Sequence, residues 1–437
     1  MRLLVDSTAQ GLVRFDAAGQ IEPGLAERWI VIDQGTSYIF RLREVQWADG
    51  RPVTAEQVAA ILRRRIGLRS GNPLAPFLTA IDEVVVMTPQ VIEVRLRHPR
   101  PDLLKLFAQP ELAIARAAPS IGSGPFRITR ALAGSVSLHP AFDPNLADPE
   151  DQRDTVPEQD VQLIGERAAR SIVRFVQRRA DLVTGGTFAD WPLLATTRIA
   201  PADIRIDPAA GLFGLAIVLR EGFLGDALNR GAIAQAMDRT AVTSAVAPTW
   251  EGTDRILPDT LDSGRPPTVP GWTLLSQAQR QAGAAARVAN WKGGPVRLRV
   301  AMPPGSGATI LYAQIAASLR RIGIATERVE IDADADLRLV DAVAPYDSAR
   351  WYLATACQPC GEAATTKLDE ARQAPTMAAR AARIAEADAL VADDVPFIPI
   401  ARPLRWSLVA PRLSQWQANV RAWHPLNRLR TDPNSSP

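Results

Sequence analysis

The sequence contains few of the residues that most often carry catalysis or bind metals. Among its 437 residues are 3 histidines, His98, His139 and His424, far apart along the chain, and only 2 cysteines. A structural zinc site takes four ligands, and no G-x-S-x-G motif marks a nucleophilic serine. The sequence therefore predicts no catalytic constellation, no metal site and no cofactor.

Long apolar runs and an excess of charge are also missing. The longest apolar candidate, residues 212–219, is well short of the ~18 residues that a membrane-spanning helix needs. The 50 basic and 47 acidic residues leave a net charge of +3, too little to attract nucleic acid. The length predicts two or three domains, and we expect neither membrane insertion nor a nucleic-acid partner.

Several local signals of secondary structure lie close together in residues 21–64, IEPGLAERWIVIDQGTSYIFRLREVQWADGRPVTAEQVAAILRR. Alternation over Ser37–Leu42 predicts a strand, and Asp49-Gly50 is a strong turn dipeptide. Thr54 and Gln57 have the spacing of a capping box, and apolar residues follow at helical intervals. The segment is predicted to fold as strand, turn and helix.

Further along the chain, apolar periodicity predicts more elements. They are a hairpin (84–87 and 91–96), a helix (230–246), a βαβ unit with strands at 296–302 and 324–331, and a helix before a strand at 395–400. The two strands of the βαβ unit are expected to pair in parallel.

Several motifs, taken in order, resemble those of one family. They are GLAE-x-W, LRE and ADG-x-PVTAE (24–56), GSGPFRI (122–128), AMDR (236–239), VPFIPI (395–400) and PRLSQW (411–416). Together they resemble the extracytoplasmic solute-binding proteins of the peptide/nickel type (family 5), which deliver ligands to ABC importers. The resemblance extends over roughly residues 10–425.

The resemblance implies an α/β, two-lobed fold of the type II periplasmic-binding-protein kind with an extra α+β subdomain. The implied main lobe comprises residues 1–19, 121–216 and 406–437, the inserted subdomain residues 20–120, and the second lobe residues 217–405. Gly122 and Gly124 would form a hinge crossover from the insert to the main lobe, because glycine absorbs large backbone changes.

The resemblance also implies a function. The protein would be a periplasmic monomer that binds a peptide-like or other small polar solute between its lobes and hands it to a permease coupled to ATPase subunits. Compared with the family, a signal peptide and a first strand are missing before Gly11-Leu12-Val13. We expect an in-frame extension upstream of Met1 to encode both.

The expected ligand contacts lie mainly in YDSARWY, residues 346–352. In the family a strand that ends in a tryptophan enters the cleft between the lobes, and Trp351 matches that tryptophan. Arg350, Tyr352 and Phe213 are further candidate ligand contacts. A core position for Trp351 is the alternative.

Two departures from the family bear on the ligand. Ala354 stands where peptide binders commonly have an aspartate that pairs with the peptide's amino group, and Val218 replaces an asparagine. Because a buried charge partner contributes strongly to affinity, an ordinary free-amine oligopeptide is disfavoured.

The two cysteines, Cys357 and Cys360, lie in the motif CQPC. This spacing fits a small structural disulfide or inert thiols, a feature of a ligand-binding loop, or a redox or metal pair. One alternative function is therefore a thiol oxidoreductase that uses both cysteines. Another is a degenerate or sensory copy of the binding fold.

Overall fold

The computed structural model describes residues 2–100, 102–116, 121–141, 159–259 and 261–430. The chain divides into two compact units. Unit 1 comprises residues 1–167, 410–419 and 423–437, and unit 2 comprises residues 168–409 and 420–422. The three-part division expected from the family resemblance stays a prediction.

Unit 1 is built on small antiparallel sheets with short helices. Its helices and strands are α1 (Arg2–Thr8), β1 (Val13–Phe15), β2 (Ile21–Pro23), β3 (Ala26–Ile32), β4 (Ser37–Leu42), α2 (Ala55–Ile66), β5 (Ile81–Thr88), β6 (Val91–Leu96), α3 (Leu103–Phe107), β7 (Phe126–Leu132), β8 (Ser135–Pro140) and β9 (Val161–Ile164). The sheets have the strand orders β3-β4-β6-β5, β7-β8-β9 and β1-β2.

The local predictions for unit 1 are confirmed. β4 occupies the predicted residues, and its buried Tyr38 and Phe40 face the core. Thr54 caps α2: its hydroxyl accepts from the Gln57 amide, and the Gln57 side chain accepts from the Thr54 amide. The hairpin forms as β5 and β6, which pair antiparallel.

Gly122 and Gly124 are explained by close backbone packing inside unit 1. A Cβ atom on Gly122 would lie 2.2 Å from the carbonyl oxygen of Thr8, and one on Gly124 would lie 2.5 Å from the Thr8 carbonyl carbon. Any larger residue would therefore push the end of α1 away. A hinge role for the same pair stays a prediction.

Unit 2 contains the larger sheet and most of the helices. Its elements are α4 (Ala168–Val176), β10 (Leu182–Thr187), β11 (Ile204–Asp207), β12 (Gly211–Ile217), α5 (Ala227–Ala236), α6 (Arg239–Ser244), α7 (Gln277–Ala289), β13 (Arg297–Met302), α8 (Ser306–Arg321), β14 (Ala325–Glu330), β15 (Leu337–Val343), α9 (Ala349–Ala356), α10 (Glu362–Gln373), α11 (Met377–Asp394), β16 (Phe397–Ala401) and β17 (Arg405–Val409).

A five-stranded sheet in the order β14-β13-β15-β12-β16 forms the centre of unit 2. β13 pairs parallel with β14, which confirms the βαβ unit, and α8 packs on it through apolar residues such as Leu311 and Ile315. β12 is buried along its whole length and runs antiparallel to β15 and β16. A second, antiparallel sheet has the order β10-β17-β11.

Two sequence-based assignments in unit 2 are wrong. Residues 230–246 form two helices, α5 and α6, because Met237 is extended and Asp238 begins a new helix by accepting from the Ala241 amide. The segment expected to be a strand ending at Trp351 is instead a helix, α9, which starts after the extended residue Ser348.

Among the described residues, no helix is both long and apolar enough to cross a membrane.

Candidate functional site

One edge of the central sheet of unit 2 gathers the sequence-predicted site residues. β15 ends there at Val343, the antiparallel β12 begins beside it at Gly211, and β16 ends at Ala401. The chain then leaves β15 through a short loop into α9 and leaves β16 at Arg402. In open α/β sheets, ligands bind outside the carboxyl ends of the strands. This edge is therefore the candidate site.

The structure brings the four predicted contacts into this region, but buries them. Arg350, Trp351 and Tyr352 lie on α9, which packs against β12, the strand that holds Phe213. The exposed fraction is 7% for Arg350, 5% for Trp351, 1% for Tyr352 and 0% for Phe213. The rings of Trp351 and Tyr352 meet edge to face, with their centroids 4.9 Å apart. Their role as ligand contacts stays a prediction.

Phe213 belongs to an aromatic cluster that sequence reasoning missed. Its ring centroid lies 4.9 Å from that of Phe188 and 4.7 Å from that of Trp250. Trp250 also donates its indole N–H to the carbonyl of Arg402, at 2.8 Å. The cluster thus fixes the backbone where β16 ends. No local pattern connects three aromatics so far apart in sequence.

A second residue that sequence reasoning missed, Asp262, holds the start of α9. Its Oδ1 accepts from the Ala349 amide at 2.7 Å, and its Oδ2 accepts from the Arg380 guanidinium at 3.0 Å and from the Ser348 hydroxyl at 3.2 Å. A carboxylate at a helix N-terminus satisfies amides that have no partner within the helix. The position of α9 therefore depends on a loop residue and on α11.

Most charges near the edge are compensated. Arg405 forms an ion pair with Asp341 at 2.8 Å, and Arg421 pairs with Asp347 and also donates to the Ala344 carbonyl. Burial raises the pKa of Asp341, while the charge of Arg405 acts in the opposite direction. These pairs leave little net charge of their own.

Arg402 lies beside Tyr352. Its guanidinium carbon is 5.7 Å from the centroid of the Tyr352 ring. Burial raises the pKa of Tyr352 to about 12, so the phenol is neutral at physiological pH. Burial also lowers the pKa of Arg402 from its usual value, although an arginine remains charged.

Cys357 and Cys360 are joined by a disulfide in the turn between α9 and α10. The amide of the next residue, Gly361, donates to Asp394 at 2.8 Å, and Asp394 also pairs with Arg230. Within the described part of the chain, no group of three or more His, Cys, Asp or Glu side chains could hold a metal ion.

The fold is that of the two-lobed periplasmic binding proteins. Haemophilus influenzae OppA in complex with RPPGFSPFR matches with a TM-score of 0.82 at 16% identity, over 98% of this chain and 94% of that chain. The Escherichia coli murein tripeptide binding protein MppA also matches with a TM-score of 0.82, at 18% identity, over 98% of this chain and 93% of that chain.

Residues 20–354 match the family model described as "Bacterial extracellular solute-binding proteins, family 5 Middle". The match covers most of the chain, and the protein belongs to this family. It confirms the resemblance drawn from the sequence motifs.

Curated relatives align over short segments. The probable deoxycholate-binding periplasmic protein YgiS of Escherichia coli is 43% identical over 70 residues, which are 16% of this chain and 13% of that protein. The alignment therefore spans only a small part of the relative's length. The thiol oxidoreductase alternative is not favoured, since the matching family and structures are binding proteins.

Proposed function

We propose that this protein is the solute-binding component of an ABC importer, which binds a peptide-like or other small polar solute and delivers it to a membrane permease. The observation that carries the proposal is the family match over residues 20–354 on a chain whose fold matches that of a peptide-bound OppA with a TM-score of 0.82. It acts in the periplasm as a monomer and without a cofactor, is not an enzyme, and relies on separate ATPase subunits for energy.

In this proposal the solute contacts the carboxyl edge of the central sheet of unit 2. The loop into α9 and the end of β16 meet there, and α9 carries Trp351 and Tyr352. Arg350 donates from Nε to the Leu368 carbonyl at 3.2 Å, so it helps to hold α9 against α10. Phe213, with no exposed surface, supports the site from below.

The solute differs from a free-amine oligopeptide. Ala354 is part of α9, and by the family resemblance it replaces an aspartate that pairs with the amino group of a peptide; its methyl group offers no charge for that pairing. Relatives bind chemically varied solutes: the OppA structure contains RPPGFSPFR, MppA is described as binding a murein tripeptide, and YgiS is described as probably binding deoxycholate.

Binding is tested with the full chain by native mass spectrometry after purification, followed by a thermal-shift screen of peptides, opines, sugars and metal chelates. A solute present at 100 times its Kd is expected to stabilise the folded protein by about 2.7 kcal/mol, a readily measured shift. A protein that carries no solute and that no compound stabilises would contradict the proposal. Permease and ATPase genes next to the locus would favour import over a sensory copy.

The disulfide is expected to be structural. Replacing both Cys357 and Cys360 by serine should leave the affinity for an identified solute within about threefold, or ~0.7 kcal/mol, because neither sulfur is proposed to touch the solute. The wild-type protein should also be inactive in an insulin-reduction assay. Reductase turnover that disappears in the double variant would instead support the oxidoreductase alternative.

A further inference from the structure

Only one side of the Arg402 guanidinium forms hydrogen bonds with described residues of the protein. Nη1 donates to the carbonyls of Gly211, at 3.1 Å, and Ile256, at 2.8 Å. Within the described part of the chain, Nε and Nη2 have no acceptor. The Nε–Nη2 edge of arginine is a planar fork that can bind a carboxylate through two parallel hydrogen bonds.

The charge of Arg402 also lacks an anionic partner. Other arginines of unit 2 have one: Arg405 pairs with Asp341, Arg380 with Asp262 and Arg230 with Asp394. Arg402, by contrast, forms no ion pair with any carboxylate in the described part of the chain.

The carboxylate whose charge favours the Arg402 cation, Asp259, is itself paired with Arg255, and the charge of Arg255 disfavours that cation. The positive charge is half-buried and uncompensated, and burial of such a charge is unfavourable until an anion joins it.

Tyr352 adds a second donor in the same place. Its side chain is 1% exposed, and its hydroxyl forms no hydrogen bond with any described residue. The high pKa of Tyr352 keeps the hydroxyl proton available for donation. The guanidinium carbon of Arg402 lies 5.7 Å from the centroid of the Tyr352 ring. The unused donors of the two side chains therefore lie in one small area.

This area is held in place without a ligand. The Trp250 indole fixes the Arg402 backbone, and the Gly211 and Ile256 carbonyls fix its guanidinium. An arginine that is already oriented loses less conformational entropy when it binds an anion.

We propose that Arg402 and Tyr352 form a carboxylate-binding subsite, and that the solute of this protein is consequently an organic anion. Arg402 would bind both carboxylate oxygens through Nε and Nη2, and the Tyr352 hydroxyl would donate to one of them. The inference rests on the proposed solute-binding function and specifies its ligand class. It also agrees with Ala354, since an anion needs no acidic partner at that position.

The test uses matched acid and amide probes: N-acetyl-dialanine and its amide, hexanoate and hexanamide, and benzoate and benzamide. Each is titrated into the full chain by calorimetry and thermal shift at millimolar concentration. We expect at least one acid to bind at least tenfold more tightly than its amide, a difference of about 1.4 kcal/mol. Arg402→Gln should remove this preference, and Tyr352→Phe should reduce it about threefold.

Arg338→Gln is the matched control, because Arg338 also lies in unit 2 and donates to two carbonyls, those of Ile331 and Ala333. It should bind the acid probe within twofold of the wild type. If Arg402→Gln does not fold, Arg402→Lys serves in its place. Lysine keeps the positive charge but lacks the planar fork, so this variant is expected to bind the acid probe at least threefold more weakly than the wild type.

The two proposals fail differently. Equal binding of acids and amides, no binding of any acid probe, or an Arg402 variant with unchanged preference would overturn the carboxylate subsite. If neutral solutes nevertheless bind, the solute-binding function stands. If the protein neither retains a solute on purification nor binds any compound of either screen, both proposals fall.

Discussion

Trp351→Ala is expected to lower the free energy of unfolding by about 3–5 kcal/mol, because it removes a large buried ring from the packing of α9. Trp351 is 5% exposed and meets Tyr352 edge to face, so the remaining cavity cannot easily be filled. Urea unfolding followed by circular dichroism measures the change. Leu274→Ala is the control: its side chain is 91% exposed in the same unit, and its substitution should change stability by less than about 0.5 kcal/mol.

Trp351→Phe separates packing from ligand contact. Phenylalanine keeps much of the buried volume and loses the indole N–H and part of the ring surface. If Trp351 contacts the solute, this variant should fold and bind an identified solute at least tenfold more weakly, about 1.4 kcal/mol. Unchanged affinity in the phenylalanine variant would show that Trp351 is a core residue, the alternative that the sequence left open.

Asp262→Ala is expected to cost about 3–5 kcal/mol of stability, because it leaves the Arg380 charge buried without its partner. The Arg380 side chain is 4% exposed and that of Asp262 12%. The substitution also removes the acceptor for the Ala349 amide, so hydrogen exchange should quicken first in α9. The double variant Asp262→Ala/Arg380→Met should recover much of the loss.

Asp259→Ala provides the comparison for Asp262. Asp259 also pairs with an arginine, Arg255, but the two side chains are 69% and 36% exposed. An exposed ion pair contributes little, so the expected change is below about 1 kcal/mol. If Asp262→Ala proved as mild as Asp259→Ala, the anchoring role of Asp262 in positioning α9 would be wrong.

Local sequence signals predicted the parts of the fold that depend on neighbours in the chain. The capping box of Thr54 and Gln57 involves residues three positions apart, and it forms as expected. The strand and helix periods of the βαβ unit are likewise short-range, and its parallel pairing follows from the handedness of such connections. The family motifs added the order of the elements.

The same signals were wrong in two places, one decided by a distant residue and the other by a helix cap that apolar periodicity does not show. The segment before Trp351 has aromatics that suit a strand, but the Ala349 amide meets the Asp262 carboxylate across a sequence separation of 87, and a helix begins there. Residues 230–246 have helical periodicity throughout, yet Asp238 caps a new helix and divides them. Periodicity describes which face is apolar and does not show where a side chain interrupts the backbone pattern.

The sequence by itself determined the family and the binding-protein class, because these are properties of residue identity and order. Only the tertiary structure decided that Trp351 is buried and that Arg402 has an open guanidinium edge. The surroundings of Arg402 come from Gly211, Ile256 and Tyr352, which lie far from it in sequence. Burial and charge compensation depend on which distant residues meet, and the chain specifies those contacts only by folding.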